Sequence, residues 1–208
     1  MFDSQQQREA LSETIRYFHQ RGWCDGTGGN FSLVLQTTPL ILLMTPSGIE
    51  KKDISAEELI EVDGAGCVIK GEGSASAETD MHLKIIEQTS ANAVLHTHSI
   101  TATWLSNYYK NTGGLTIEGW EMLKGLQGIN SHSTSITLPI LFNNQNLAKL
   151  SQAAGKLVND APYGILVAGH GLYAWGESLK EARRHVEILE FLLELCWREQ
   201  LIVKHKSC

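Results

Sequence analysis

The spacing of apolar and polar positions divides the chain into a mixed series of helices and strands. Ala10, Leu11, Ile15 and Phe18 recur at helical spacing, Asp3 or Ser4 can cap that helix, and Gly22 stands where it would stop. DGTGGNFSLVL then turns through glycines into a strand. PLILLM forms a second strand and runs into TPSGIEKKDI, and residues 66–70 form a short third that leads to GEGSASAETDMH. Met81, Leu83, Ile85 and Ile86 mark a helix. Residues 91–98 read as a strand followed by a polar, irregular middle section. Residues 136–141 read as another strand and 147–158 as a helix. Residues 164–168 and 172–175 are apolar runs separated by Gly169-His170-Gly171. The last long segment opens at Ser178, which with Glu181 has the spacing of a capping box. Leu179, Ala182, Val186, Leu189, Leu193 and Cys196 give that segment one apolar face.

Strands interleaved with helices, without repeats or low-complexity tracts, predict an α/β layered domain whose strand order the pattern does not specify. With 208 residues and no break in composition, a single domain over 1–208 is the simplest division. Hydrophobic content of 42% and charged content of 19% are those of an ordinary soluble protein. The formal net charge of −6 and the absence of a Lys/Arg cluster argue against a nucleic-acid partner. Arg183 and Arg184 lie among glutamates and read as a solvated helix face. Cys24, Cys67, Cys196 and Cys208 form no CxxC pair, so neither a zinc knuckle nor a disulfide framework is suggested. The start of the chain lacks the apolar core of a signal peptide, and no apolar run suits a membrane span. A soluble protein of the reducing cytoplasm, without a membrane partner, is the expectation.

The chemistry begins at AVLHTHSI. Residues i and i+2 of a strand share a face, so His96 and His98 project together, close enough to share one ion. Imidazole suits zinc, and iron or cobalt as well. A catalytic zinc takes three protein ligands and leaves a position open. His170, between two glycines at the rim of the core, is the best third ligand. His19, His82, His132, His185 and His205 stand behind it. On spacing alone, hydrogen-bonded core imidazoles remain the alternative. Thr27-Gly28-Gly29-Asn30, Thr45-Pro46-Ser47-Gly48 and Ser74-Ala75-Ser76-Ala77 offer backbone amides and hydroxyls for an anion, Ser76 just ahead of a helix start. Each segment alone is equally compatible with plain turn chemistry.

The segments GTGGNFS, TPSG, SASAETDMH, HTHS and GHGLYAWG follow the order of motifs in the class II aldolases, which this sequence resembles over nearly its whole length. EGWEMLKG and GLYAWG are similar to the methylthioribulose-1-phosphate dehydratases of methionine salvage within that family. Trp120 stands where some members carry Gln, and Ala77 where an aldolase often has a second Ser.

The resemblance implies an α/β, class II aldolase-like fold, with a central, largely antiparallel sheet flanked by helices on both faces. It implies one zinc ion per subunit on His96, His98 and His170, and a phosphate cradle of Gly29, Asn30, Ser47, Gly48 and Ser76. Glu121 matches the dehydratase acid–base, and Glu78 the aldolase carboxylate beside the metal. A sugar-phosphate substrate and a homotetramer with sites at subunit boundaries are implied as well. The implied activity is a lyase reaction that removes water from 5-methylthioribulose 1-phosphate. The alternatives are aldol cleavage or 4-epimerisation on the same scaffold, or a non-catalytic interaction protein.

Overall fold

The computed structural model describes residues 4–161 and 163–206, with the backbone only at 203–206; Asp3, Cys208 and the His205 side chain lie outside the described residues. The elements run α1 (Ser4–Gln20), β1 (Asn30–Thr37), β2 (Leu40–Met44), β3 (Ile60–Asp63), β4 (Val68–Lys70), α2 (Thr79–Gln88) and β5 (Ala93–Thr97). They continue α3 (Ile100–Tyr108), β6 (Gly114–Glu118), β7 (Ser135–Leu141), α4 (Leu147–Gly155), β8 (Gly164–Val167), β9 (Gly171–Gly176) and α5 (Leu179–Lys206). A short 3-10 turn occupies Glu121–Gly125. No helix among the described residues is long and apolar enough to cross a membrane.

The strands form one nine-stranded sheet in the order β4-β3-β2-β1-β5-β9-β8-β7-β6. β7 and β8 run parallel, and every other neighbouring pair is antiparallel. Strand alternation sorts the apolar side chains. Phe31, Leu33, Ala93, Leu95, Leu172 and Ala174 face a core shared with α1, α3 and α5. Val94, Ile165, Val167, Tyr173 and Trp175 face the opposite way, against Met81 and Ile85 of α2 and Leu150 and Ala154 of α4. Helices therefore cover both faces of a largely antiparallel sheet, as the resemblance implied.

Three elements lie where the pattern of the sequence showed none. β3 is four residues long. β6 alternates cleanly but sits at the sheet edge. α3 faces the core partly with Thr101 and Ser106, so small polar residues disguise its buried face. The start of α5 also differs in detail. Ser178 Oγ accepts from Glu181 N at 3.2 Å, but the Glu181 carboxylate takes Glu177 N at 2.9 Å, one residue earlier than a capping box places it.

Candidate metal centre and active site

His96 sits at the end of β5, in the middle of the sheet, paired with Asn30 of β1 on one side and Tyr173 of β9 on the other. The alternation that sends Ala93 and Leu95 towards α5 turns His96 to the α2 side, where its ring stacks on Tyr173 at 3.8 Å between centroids. Two glycines let the neighbouring segments close in. A Cβ on Gly171 would lie 2.0 Å from Thr97 O, and one on Gly29 would lie 2.7 Å from His96 O; Gly29 also adopts φ +76°. Gly169-His170-Gly171 and Gly28-Gly29 are thus the two seams between which the histidine strand is seated.

His96 Nε2 lies 2.7 Å from His98 Nε2 and 3.3 Å from His170 Nε2. Glu78 joins them, with Oε1 3.3 Å from His170 Nε2 and Oε2 3.6 Å from His96 Nε2. Ligand atoms of all four residues lie within 4.8 Å of one another. The donor set can be tested against a cation. His96 Nδ1 faces Leu172 O at 2.9 Å, and a carbonyl only accepts, so Nδ1 carries the hydrogen and Nε2 offers a bare lone pair to the cluster. Burial first, then the neighbouring His98 and His170, holds His96 well below the usual imidazole range. Burial, His170 and Lys51 bring His98 down to about 4. Both rings are therefore neutral near pH 7, the form a metal ligand requires. Convergent Nε2 atoms beside one carboxylate fit a divalent cation, and two ligands about 2.0–2.1 Å from a tetrahedral ion stand about 3.3 Å apart; the 2.7 Å edge is tighter.

The proposed anion segments meet on adjoining turns. Ser47 N donates to Ser74 O at 2.9 Å, and Ser76 Oγ accepts from Glu78 N at 3.2 Å ahead of α2. Ser47 and Gly48 are exposed, whereas Gly29 and Asn30 are buried. Asn30 Nδ2 donates to Glu78 Oε2, so this side chain reaches the carboxylate. Lys51, 1% exposed, ties two of the turns together by donating to Thr27 O at 3.1 Å and Ile49 O at 2.7 Å. Nothing in KKDI distinguishes Lys51 from the exposed Lys52 beside it.

Glu121 stands apart from the four-residue group. It is exposed on the 3-10 turn, with Oε1 2.5 Å from Lys124 Nζ and Oε2 3.4 Å from His132 Nδ1. The Lys124 hydrogen bond and charge hold its carboxyl below the usual range, so it is ionised and able to accept a proton at neutral pH. His82, set behind other candidates in the sequence, is fully buried and hydrogen-bonded to Asn30 and Ser32. A groove of about 1190 Å³ between α1 and the start of α5 contains none of the four clustered residues.

Residues 9–197 match the family model of the class II aldolase and adducin N-terminal domain. The methylthioribulose-1-phosphate dehydratase of Yersinia enterocolitica is 40% identical over 196 residues, covering 93% of this chain and 92% of that protein. The dehydratase of the same name from Pectobacterium atrosepticum is 38% identical over 205 residues, covering 97% and 98%. Among solved structures, YgbL of Klebsiella pneumoniae is similar with a TM-score of 0.81 at 27% identity, covering 95% of this chain and 91% of that one. The L-fuculose-1-phosphate aldolase of Thermus thermophilus shares the fold, with a TM-score of 0.75 at 23% identity over 96% of this chain and 98% of its own.

Proposed function

The chain belongs to the class II aldolase and adducin N-terminal domain family, and on that premise we propose that it is a methylthioribulose-1-phosphate dehydratase of methionine salvage. The convergence of His96, His98 and His170 with Glu78 is the observation that carries the reading. The likeness to dehydratases along nearly the whole chain selects the substrate. We assign zinc, one per subunit, to the three imidazoles, in a single domain that works as a cytoplasmic homotetramer. Ile100 and Phe142, 78% and 62% exposed, flank the His98 segment and the end of β7 and leave apolar surface for a second copy to cover.

The substrate is a 2-ketose 1-phosphate with a methylthio group on C5. A divalent cation held by His96, His98 and His170 would supply Lewis-acid chemistry to the ketose, making the hydrogen on C3, beside the C2 carbonyl, more acidic. Gly29, Asn30, Ser47, Gly48 and Ser76 form the edge that receives the phosphate, and Lys51 braces it from beneath. Glu121 takes the proton from C3. As the C4–O bond breaks, the same carboxyl returns a proton to the departing hydroxyl, and water leaves. The resulting enol takes up a proton at C4 and becomes the 2,3-diketone, so 5-methylthioribulose 1-phosphate is converted to 2,3-diketo-5-methylthiopentyl 1-phosphate and water. Glu78 orders the metal side of the site, Asn30 holding its Oε2.

A second reading rests on Glu78 already lying inside the cluster. An aldolase or 4-epimerase would deprotonate the C4 hydroxyl and cleave the C3–C4 bond. Incubation of the purified protein with 5-methylthioribulose 1-phosphate separates the two. Release of water with accumulation of the diketone is expected. An aldehyde fragment, or the C4 epimer, would replace the dehydratase by the aldolase-type reading. A chain that takes up no stoichiometric metal would favour a non-catalytic role.

A further inference from the structure

Behind the candidate active site, Ser32, His82, Asn30 and Glu78 are hydrogen-bonded in a row. Ser32 and Asn30 are alternate residues of β1 and share the face turned to α2. Glu78 stands just ahead of α2, its side chain making no capping bond, and His82 lies one helical turn on, so the two face the same strand. Ser32 Oγ is 2.7 Å from His82 Nδ1, His82 Nε2 is 2.5 Å from Asn30 Oδ1, and Asn30 Nδ2 donates to Glu78 Oε2. Ser32 and His82 are fully buried and Asn30 is 6% exposed, so no water substitutes for a missing partner without cost.

The polarity of this row follows from its ends. The Glu78 oxygen accepts from Asn30, so Asn30 turns its NH₂ group to Glu78 and its Oδ1 to His82. His82 Nε2 must then carry the hydrogen, which leaves Nδ1 bare to accept from the Ser32 hydroxyl. The opposite tautomer would turn Asn30 round and set an amide oxygen against the carboxylate. Burial lowers the His82 pKa to about 3, so the ring stays neutral and only the choice of tautomer remains. Asn30 thus holds Oε2, 3.6 Å from His96 Nε2, and leaves Oε1, 3.3 Å from His170 Nε2, as the Glu78 oxygen without the Asn30 bond.

We propose that His82, held as its Nε2–H tautomer, is a positioning residue for Glu78: acting through Asn30, it fixes which carboxylate oxygen is held beside His96 and which is left unbonded by Asn30 beside His170. The catalytic consequence rests on the dehydratase reading above; the tautomer does not. His82 touches neither substrate nor cation.

Two measurements test the relay. The first is long-range proton–nitrogen correlation on the protein as purified, labelled with ¹⁵N in histidine. It should show His82 neutral, with a pyrrole-type Nε2 and a pyridine-type Nδ1, from pH 5 to pH 8. A pyrrole-type Nδ1 or a cationic ring overturns the proposal, and this readout needs no variant. The second compares His82→Leu with His82→Gln, whose amide N–H can replace Nε2–H. His82→Leu is expected to lose about 10- to 100-fold in kcat with KM and metal content close to wild type, and His82→Gln to recover most of that loss. Leu and Gln variants of equal activity, both folded and metal-loaded, overturn the positioning role. A wild-type protein that holds metal but does not dehydrate 5-methylthioribulose 1-phosphate sinks the functional reading alone, because the nitrogen shifts still decide the relay.

Discussion

Single residues divide the chemistry between them, and their substitutions should separate by what is lost. His96 turns Nε2 to the proposed cation while Leu172 O orients its ring, so His96→Ala should lose both bound metal and turnover. Glu121 is exposed and outside the cluster, so Glu121→Gln should keep metal and thermal stability while kcat falls by about 10²- to 10⁴-fold. Equal kcat in the wild type and Glu121→Gln, with Glu78→Gln inactive, would transfer the proton chemistry to Glu78. His82 makes a separate pH prediction. Its pKa is about 3 in the folded chain against 6.5 ordinarily, so between those values the unfolded chain binds more protons. Its stability contribution is complete above pH 6.5 and falls as pH drops towards 3, at up to about 1.4 kcal/mol per pH unit. Denaturant titrations at pH 7 and pH 5 should show a smaller acid loss for His82→Gln than for the wild type. Identical losses would contradict the burial argument.

At the scale of elements, β5 and α5 hold the histidines from behind. Thr97 points away from His96 and His98, and its Oγ1 donates to Glu190 Oε1 at 2.7 Å; Thr101 Oγ1 donates to Glu194 Oε2 at 2.9 Å. Two glutamates one turn apart on α5 thus brace both ends of THSIT. Burial raises Glu190 to about 7, against which Ser99 and Thr97 act by hydrogen bonding. The folded chain therefore holds more protons than the unfolded chain between about 4.5 and 7, and this contribution to stability falls as pH rises through that window. Glu190→Gln should remain near wild type at pH 6. Glu190→Ala should lose roughly 2–4 kcal/mol by denaturant titration, because Thr97 loses its buried partner.

The same elements show what the sequence made legible. The strand around His96 and the Gly-His-Gly seam were readable, because period-two alternation and isolated glycines are local signals. Glu190 was not, because it sits among Val186, Leu189 and Leu193 at a helical spacing that gives a carboxylate no visible partner. His82 was hidden for the same reason: its partners Ser32 and Asn30 lie about fifty residues away, across the α2–β1 contact.

Over the whole molecule, the nine-stranded sheet brings β1, β5 and β9 side by side and so gathers motifs from distant parts of the chain into one site. The proposed tetramer belongs to this scale, and light scattering of the purified protein should give about four times the 23.0 kDa chain mass. A monomer would leave Ile100 and Phe142 bare and would contradict the shared-boundary assembly. The central claim is that three Nε2 atoms from two distant segments hold one cation. X-ray absorption at the metal edge, with metal quantification on the same sample, tests it most directly. One ion per chain is expected, with three imidazole nitrogens at about 2.0–2.1 Å and that signal lost in His170→Ala. A metal-free active protein, or an ion whose nitrogen shell survives His170→Ala unchanged, would contradict it.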